Sequence, residues 1–346
     1  METERGVSWS QVYDTWRNHF YSLNDDKAKS AFNTFFDLQD FFSEKSPTLG
    51  MPLTLGISKK DGYCDVVMAL HICEQLHDFF EKRFPDIPSP NLSDLTPETY
   101  EVLDRFECIS APMLNKYQTK AKKKNKAQAK LRNAKALKDL GHKLVRDKRN
   151  VFISIDIEAY EIDHSILLEI GWSMYDARTD KFLDQHYAID SYKHLKNGKF
   201  VDDQKMRFGF GTTVWCSLKQ AFKELRKDLD WAVERDGGFI LVGHGLDSDI
   251  KYLKERKFLW PTAHKSETLE VEESAKIATL NTDIIYGASV NDMHNPPSLG
   301  RTLNILDIEH WNLHNAGLLD KIDWCDSSLN YRSFSVIGFS KLTIIG

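Results

Sequence analysis

The run Val151-Phe-Ile-Ser-Ile-Asp-Ile-Glu-Ala-Tyr160 constrains this chain more than any other segment. It is β-branched and apolar, and it reads as a buried strand. Side chains alternate along a strand, so Asp156 and Glu158 share one face while Val151, Ile153, Ile155 and Ile157 take the other. A buried strand has little reason to carry two adjacent acids unless a cation neutralises them. Hard divalent cations take oxygen ligands of this kind. A strand ending in Asp-x-Glu is therefore a candidate metal platform.

The 346 residues leave room for about two domains. No apolar run approaches the ~20 residues of a membrane helix, which predicts no membrane partner. The first residues lack a basic segment followed by an apolar one, which argues against secretion. Cys64, Cys73, Cys108, Cys216 and Cys325 are scattered and never form C-x-x-C, so neither a disulfide framework nor a structural zinc site is expected. These features point to a reducing compartment, cytoplasmic or nuclear.

The net charge of −5 conceals an asymmetry. Residues 116–149 hold 14 Lys and Arg against Asp139 and Asp147; their +12 leaves −17 on the remainder. Ala127, Leu131, Ala134, Leu137, Leu140 and Leu144 recur at three- and four-residue steps, which predicts a basic helix with a narrow apolar stripe. Three readings stand open: a solvated connector, a nucleic-acid surface using Lys122, Lys123, Lys124, Lys126, Lys130 and Arg132, or a nuclear import signal at 122–126.

Four regions are expected. Residues 1–112 read as mainly helical, with helical spacing at 8–16 and 66–80. Residues 113–149 form the basic helical connector. Residues 150–322 turn α/β, and 323–346 read as an atypical tail. Within the α/β part, strands are expected at 151–159, 166–175, 182–189, 238–243 and 281–285. Helices are expected at 217–235, 247–257, 297–306 and 312–321. The first three strands are joined by short turns as in a meander; the later ones alternate with helices, which favours parallel crossovers.

Two further segments bear on the acid pair. Phe239-Ile-Leu-Val-Gly-His-Gly-Leu-Asp-Ser-Asp249 reads as strand, tight turn and helix. Its acids Asp247 and Asp249 lie in a first helical turn, where the dipole favours them, and Asp249 also follows a strand's C-terminal end, where α/β proteins place ligands. Leu313-His-Asn-Ala-Gly-Leu-Leu-Asp320 carries His314, a candidate base.

In this order and spacing, the three segments resemble the DEDDh 3′–5′ exonucleases, the RNase T-like branch of the ribonuclease H-like superfamily. Leu313-His-Asn-Ala-Gly317, Ser298-Leu-Gly-Arg301 and Phe208-Gly-Phe-Gly211 resemble in particular a fungal nuclease-like subfamily. The resemblance covers about residues 150–320. It implies a mixed central sheet flanked by helices and a site holding two Mg²⁺ or Mn²⁺ ions. Asp156 would bridge the ions, Glu158 would orient the attacking water, Asp249 would bind metal and His314 would act as base. The implied substrate is a single-stranded RNA or DNA end.

One departure is consequential. The family places an acid five positions after the histidine, where this chain has Leu319. Asp320 comes one residue late, which on a helix is ~100° of rotation. Either the register shifts or the site has three acids. Mg²⁺ sheds water reluctantly and needs anionic oxygens, so a missing acid predicts weak catalysis or a binding module that does not cut. Residues 321–346 are Ser-rich and lack the amphipathic period the family would place there. The sequence from Leu318 thus reads as a truncated, shifted or degenerate end.

Overall fold

The computed structural model describes residues 2–37, 41, 51–200, 203–208, 211–262 and 275–308. The chain divides into two units, Met1–Ala129 and Lys130–Gly346.

The first unit is built on strands β1 (Thr3–Ser8), β2 (Met51–Ser58), β3 (Cys64–Ala69) and β4 (Glu98–Cys108). They pair antiparallel in the order β1-β3-β2-β4, and β4 closes back on β1. Helices α1 (Trp9–Ser22), α2 (Asp26–Phe35) and α3 (Leu70–Arg83) supply an aromatic core of Trp16, Phe20, Phe32, Phe35 and Phe80. Ser8 caps α1 by accepting from the Gln11 amide at 3.1 Å.

This corrects the expectation of a mainly helical region 1–112, because a closed four-stranded sheet lies among its helices. The helical spacing at 66–80 misleads at its start. Val66 and Val67 are buried β-branched residues in β3, and the helix begins only at Leu70. β-Branched side chains pack well on a pleated, buried surface, and that tertiary preference overrides local periodicity.

Helix α4 (Ala111–Asp147) contains the basic stretch, and the division between units falls within it. In the first unit, Tyr117 stacks on Phe106 at 3.6 Å and donates to Asp104 at 3.1 Å. Asn125 embraces the backbone of Cys64, accepting from its amide at 2.7 Å and donating to its carbonyl at 2.8 Å. In the second unit, Ala134 and Leu144 of the apolar stripe are buried and Leu137 is partly so, while Leu140 faces outward.

The second unit holds β5 (Val151–Tyr160), β6 (Asp163–Asp176), β7 (Lys181–Ile189), β8 (Val214–Cys216), α5 (Leu218–Asp236), β9 (Phe239–Gly243), α6 (Asp247–Glu255), β10 (Lys276–Asn281), α7 (Thr282–Val290) and α8 (Leu299–Ile305). The sheet order is β10-β9-β5-β6-β7-β8. β5, β6 and β7 form the antiparallel meander; β5–β9, β9–β10 and β7–β8 are parallel. One sheet face buries Ile153, Ile155 and Trp172 against Leu225 and Leu229 of α5. The other packs Phe152, Ile240 and Val242 against Ile285, Leu303 and Leu144. This is the mixed α/β architecture of the ribonuclease H-like fold.

The strand expected at 281–285 is displaced. β10 ends at Asn281, and Ile284 and Ile285 lie on α7. Asn281 stands at the N-cap position and Asp283 in the first turn, two start signals that the apolar Ile pair masks. The helix expected at 312–321 and the tail 323–346 lie outside the described residues.

Candidate metal centre

The alternation expected on β5 holds. Ile153, Ile155 and Ile157 enter one core while Phe152 enters the other, so Ser154, Asp156 and Glu158 follow Phe152 on its face. Asp156 and Glu158 are half-buried there.

Asp249 reaches the same place from α6. β9 pairs with β5 only as far as Ser154, and beyond that this edge of β5 has no strand partner among the described residues. The chain turns through Gly243-His244-Gly245 into α6, and Asp249 Oδ1 accepts from the Ile157 amide at 3.0 Å. A carboxylate oxygen thus continues the ladder where the neighbouring strand has ended. The tight turn depends on its glycines. A Cβ on Gly243 would collide with the Leu246 side chain, and Gly245 has φ +70°. His244 pins the turn, with Nδ1 3.0 Å from Thr282 Oγ1 and Nε2 donating to the Pro297 carbonyl at 3.0 Å.

Electrostatics mark the spot. Burial first, then the charges of Asp249 and Glu169, push the Asp156 carboxyl well above the usual carboxylate range. Glu158 is raised to about 9 by burial and by Asp156, Glu169 and Asp249. Asp249 rises to about 6 through burial, opposed by its bond from Ile157. These acids are crowded by one another and have no cationic partner among the described residues. The Ser154 hydroxyl, next along the face, is buried without a hydrogen-bond partner. Carboxylate oxygens short of positive charge, on a rigid strand and a helix start, fit a hard divalent cation.

Among the described residues only His77, Asp78 and Glu81 bring three ligand atoms within 4.8 Å of one another. There His77 Nε2 is taken by Ser89 Oγ at 2.8 Å, and both acids are exposed, so nothing singles out an ion. The acids of the sheet face are spread more widely than that.

His314, Leu319 and Asp320 lie outside the described residues. Lys122, Lys123, Lys124, Lys126, Lys130 and Arg132 are exposed on α4, and Lys130 donates to the Met293 carbonyl at 3.0 Å. Of the aromatic residues, Trp172 is buried, stacked on Tyr187 and bonded to Asp228 at 2.9 Å, so it serves the core. Phe208 stacks on His186 at 4.8 Å.

Glu169 and His186 escape the sequence reading. Glu169 is directly opposite Glu158 across β5–β6, and His186 Nε2 lies 2.9 Å from Glu169 Oε2. The signal that was present is a lone acid inside the apolar run Ile166-Leu-Leu-Glu-Ile-Gly171.

The fold, the Asp-x-Glu strand and the Asp249 helix start together define a DEDDh exonuclease-like domain. Residues 151–318 match the family model of the DNA polymerase III subunit epsilon-like, C-terminal domain, so this part of the chain is similar to that family. The chain is 28% identical over 195 residues to "Good for full DBP5 activity protein 2" of Saccharomyces cerevisiae, an alignment covering 51% of this chain and 34% of that protein. It is also 28% identical over 200 residues to an uncharacterized nucleolar protein of Schizosaccharomyces pombe, covering 56% and 73%. A further uncharacterized protein of S. cerevisiae aligns at 28% over 197 residues, covering 50% and 39%. The chain thus spans about a third of the first relative's length.

Proposed function

We propose that this protein is a metal-dependent 3′–5′ exonuclease-like protein acting on single-stranded RNA or DNA ends. The observation that carries this reading is the convergence of Asp156, Glu158 and Asp249 on one sheet face, through a 3.0 Å bond from the strand amide to the helix acid. Asp156, Glu158 and Asp249 would hold Mg²⁺ or Mn²⁺, which supplies activation of water and neutralisation of the leaving oxygen. Asp249 locks the helix to the strand. Glu158, facing Glu169 across the sheet, presents an oxygen for the water. His314 is the candidate base and Asp320 a candidate ligand in a shifted register. Exposed Lys122, Lys123, Lys124, Lys126, Lys130 and Arg132 supply positive charge for the phosphate backbone. The nuclear or cytoplasmic compartment suits such a substrate; among the described residues no helix is long and apolar enough to cross a membrane.

The test is release of mononucleotides from single-stranded oligonucleotides with Mg²⁺ or Mn²⁺. Activity is expected in the wild type and a loss of at least a hundredfold in Asp156→Ala. No turnover with either metal on any single-stranded substrate would refute the reading. Leu319, in place of the family's acid, favours a second one, a nuclease-derived module that grips nucleic acid without cutting. Salt-sensitive binding without cleavage would establish it.

A further inference from the structure

We propose that Glu169 is a fourth carboxylate of this metal centre, held in orientation by His186 and standing in for the acid that Leu319 replaces. The inference rests on the metal-site reading above.

Glu169 pairs with Glu158 in the β5–β6 register, and directly opposed residues of an antiparallel pair project to the same face. The neighbouring pair sets Asp156 opposite Gly171, which places no side chain between Asp156 and β6. Glu169 is buried, 3% exposed. Its Oε2 lies 2.9 Å from His186 Nε2, whose Nδ1 is 2.9 Å from Thr213 Oγ1 and whose ring stacks on Phe208. The imidazole is therefore anchored on both nitrogens and one face, and it fixes the carboxylate while leaving Oε1 for a cation. A histidine bonded to a carboxylate is the type of outer partner that orients metal ligands.

Charge gives the reason. Like charges directly opposite on a sheet destabilise it, yet Glu158 and Glu169 are opposed with Asp156 beside them. The charge of Glu169 acts on both Asp156 and Glu158. Even a charged His186 would offset only one of four carboxylates. The partnerless Ser154 hydroxyl on the same face is a second sign that this surface is built to meet something polar.

The competing account is a buried Glu–His pair that only stabilises the sheet. Mn²⁺ calorimetry on the full chain separates the two, with thermal melting of the metal-free protein as the structural control. Glu169→Gln keeps the volume and a bond to His186 but removes the charge. It is expected to weaken Mn²⁺ binding at least tenfold or to remove one ion, without lowering the metal-free melting midpoint. Glu169→Asp should recover part of the affinity, and His186→Gln should weaken it several-fold. A Glu169→Gln isotherm identical to that of a Mn²⁺-binding wild type overturns the role of Glu169 and leaves the metal site standing. A wild type that binds no Mn²⁺ overturns the metal site and this inference with it.

Discussion

Protonation and metal binding oppose each other at Asp156, Glu158 and Asp249. All three carboxyls are raised in the fold, Asp249 to about 6 and Glu158 to about 9, from the ordinary range near 4. Between about pH 4 and 9 these three groups hold more protons in the folded state than in the unfolded chain, so their contribution to the stability of the metal-free protein falls as pH rises through that window. Asp156→Asn and Glu158→Gln each remove a crowded carboxyl that ionises freely in the unfolded chain and is resisted from ionising in the fold. Each should raise the metal-free melting midpoint at pH 8 by several degrees, a gain on the order of 1 kcal/mol, and flatten its decline with pH. Melting curves from pH 5 to 9 check this, and a midpoint rising with pH would contradict it. Mn²⁺ should reverse the order, stabilising the wild type more than either variant.

Elements act through what they dock. In α4 the basic run is interrupted by Asn125, whose two bonds to Cys64 hold the helix on β3. Asn125→Ala leaves two backbone groups without those partners and should destabilise the first unit by about 1–3 kcal/mol, read by denaturant unfolding. The flanking lysines behave differently because they are exposed. Replacing Lys122, Lys123, Lys124 and Lys126 by alanine should leave stability within about 0.5 kcal/mol each. If they meet phosphates, the slope of log affinity against log salt should become shallower by about 0.7 for each single-strand phosphate no longer neutralised. An unchanged slope would remove them from the nucleic-acid surface. The helix itself was legible in the sequence, from its charge and three-four spacing. The sheet anchor at Asn125 was not, because its partner lies 61 residues away.

The described residues form separate cores, one rich in aromatic side chains and shared by the helices and strands of the first unit, the others on the two faces of a mixed sheet. Calorimetry of the intact chain should show two transitions, of which Mn²⁺ shifts only the one belonging to residues 130–346. Saturation at a hundred times the dissociation constant would contribute about 2.7 kcal/mol. A single transition, or a shift of both, would count against independent units. The amino-acid order by itself determined that Asp156 and Glu158 share a face, that β5–β7 form a meander, that a basic helix precedes them and that leucine occupies position 319. Each of these follows from covalent alternation, short turns or local composition. Only the tertiary structure decided that Asp249 completes the edge of β5, that Glu169 and His186 stand across from Glu158, and that four strands in residues 1–112 close into a sheet that shares a core with the helices. Those outcomes depend on strand register and on hydrogen bonds between residues tens of positions apart, which no local periodicity encodes.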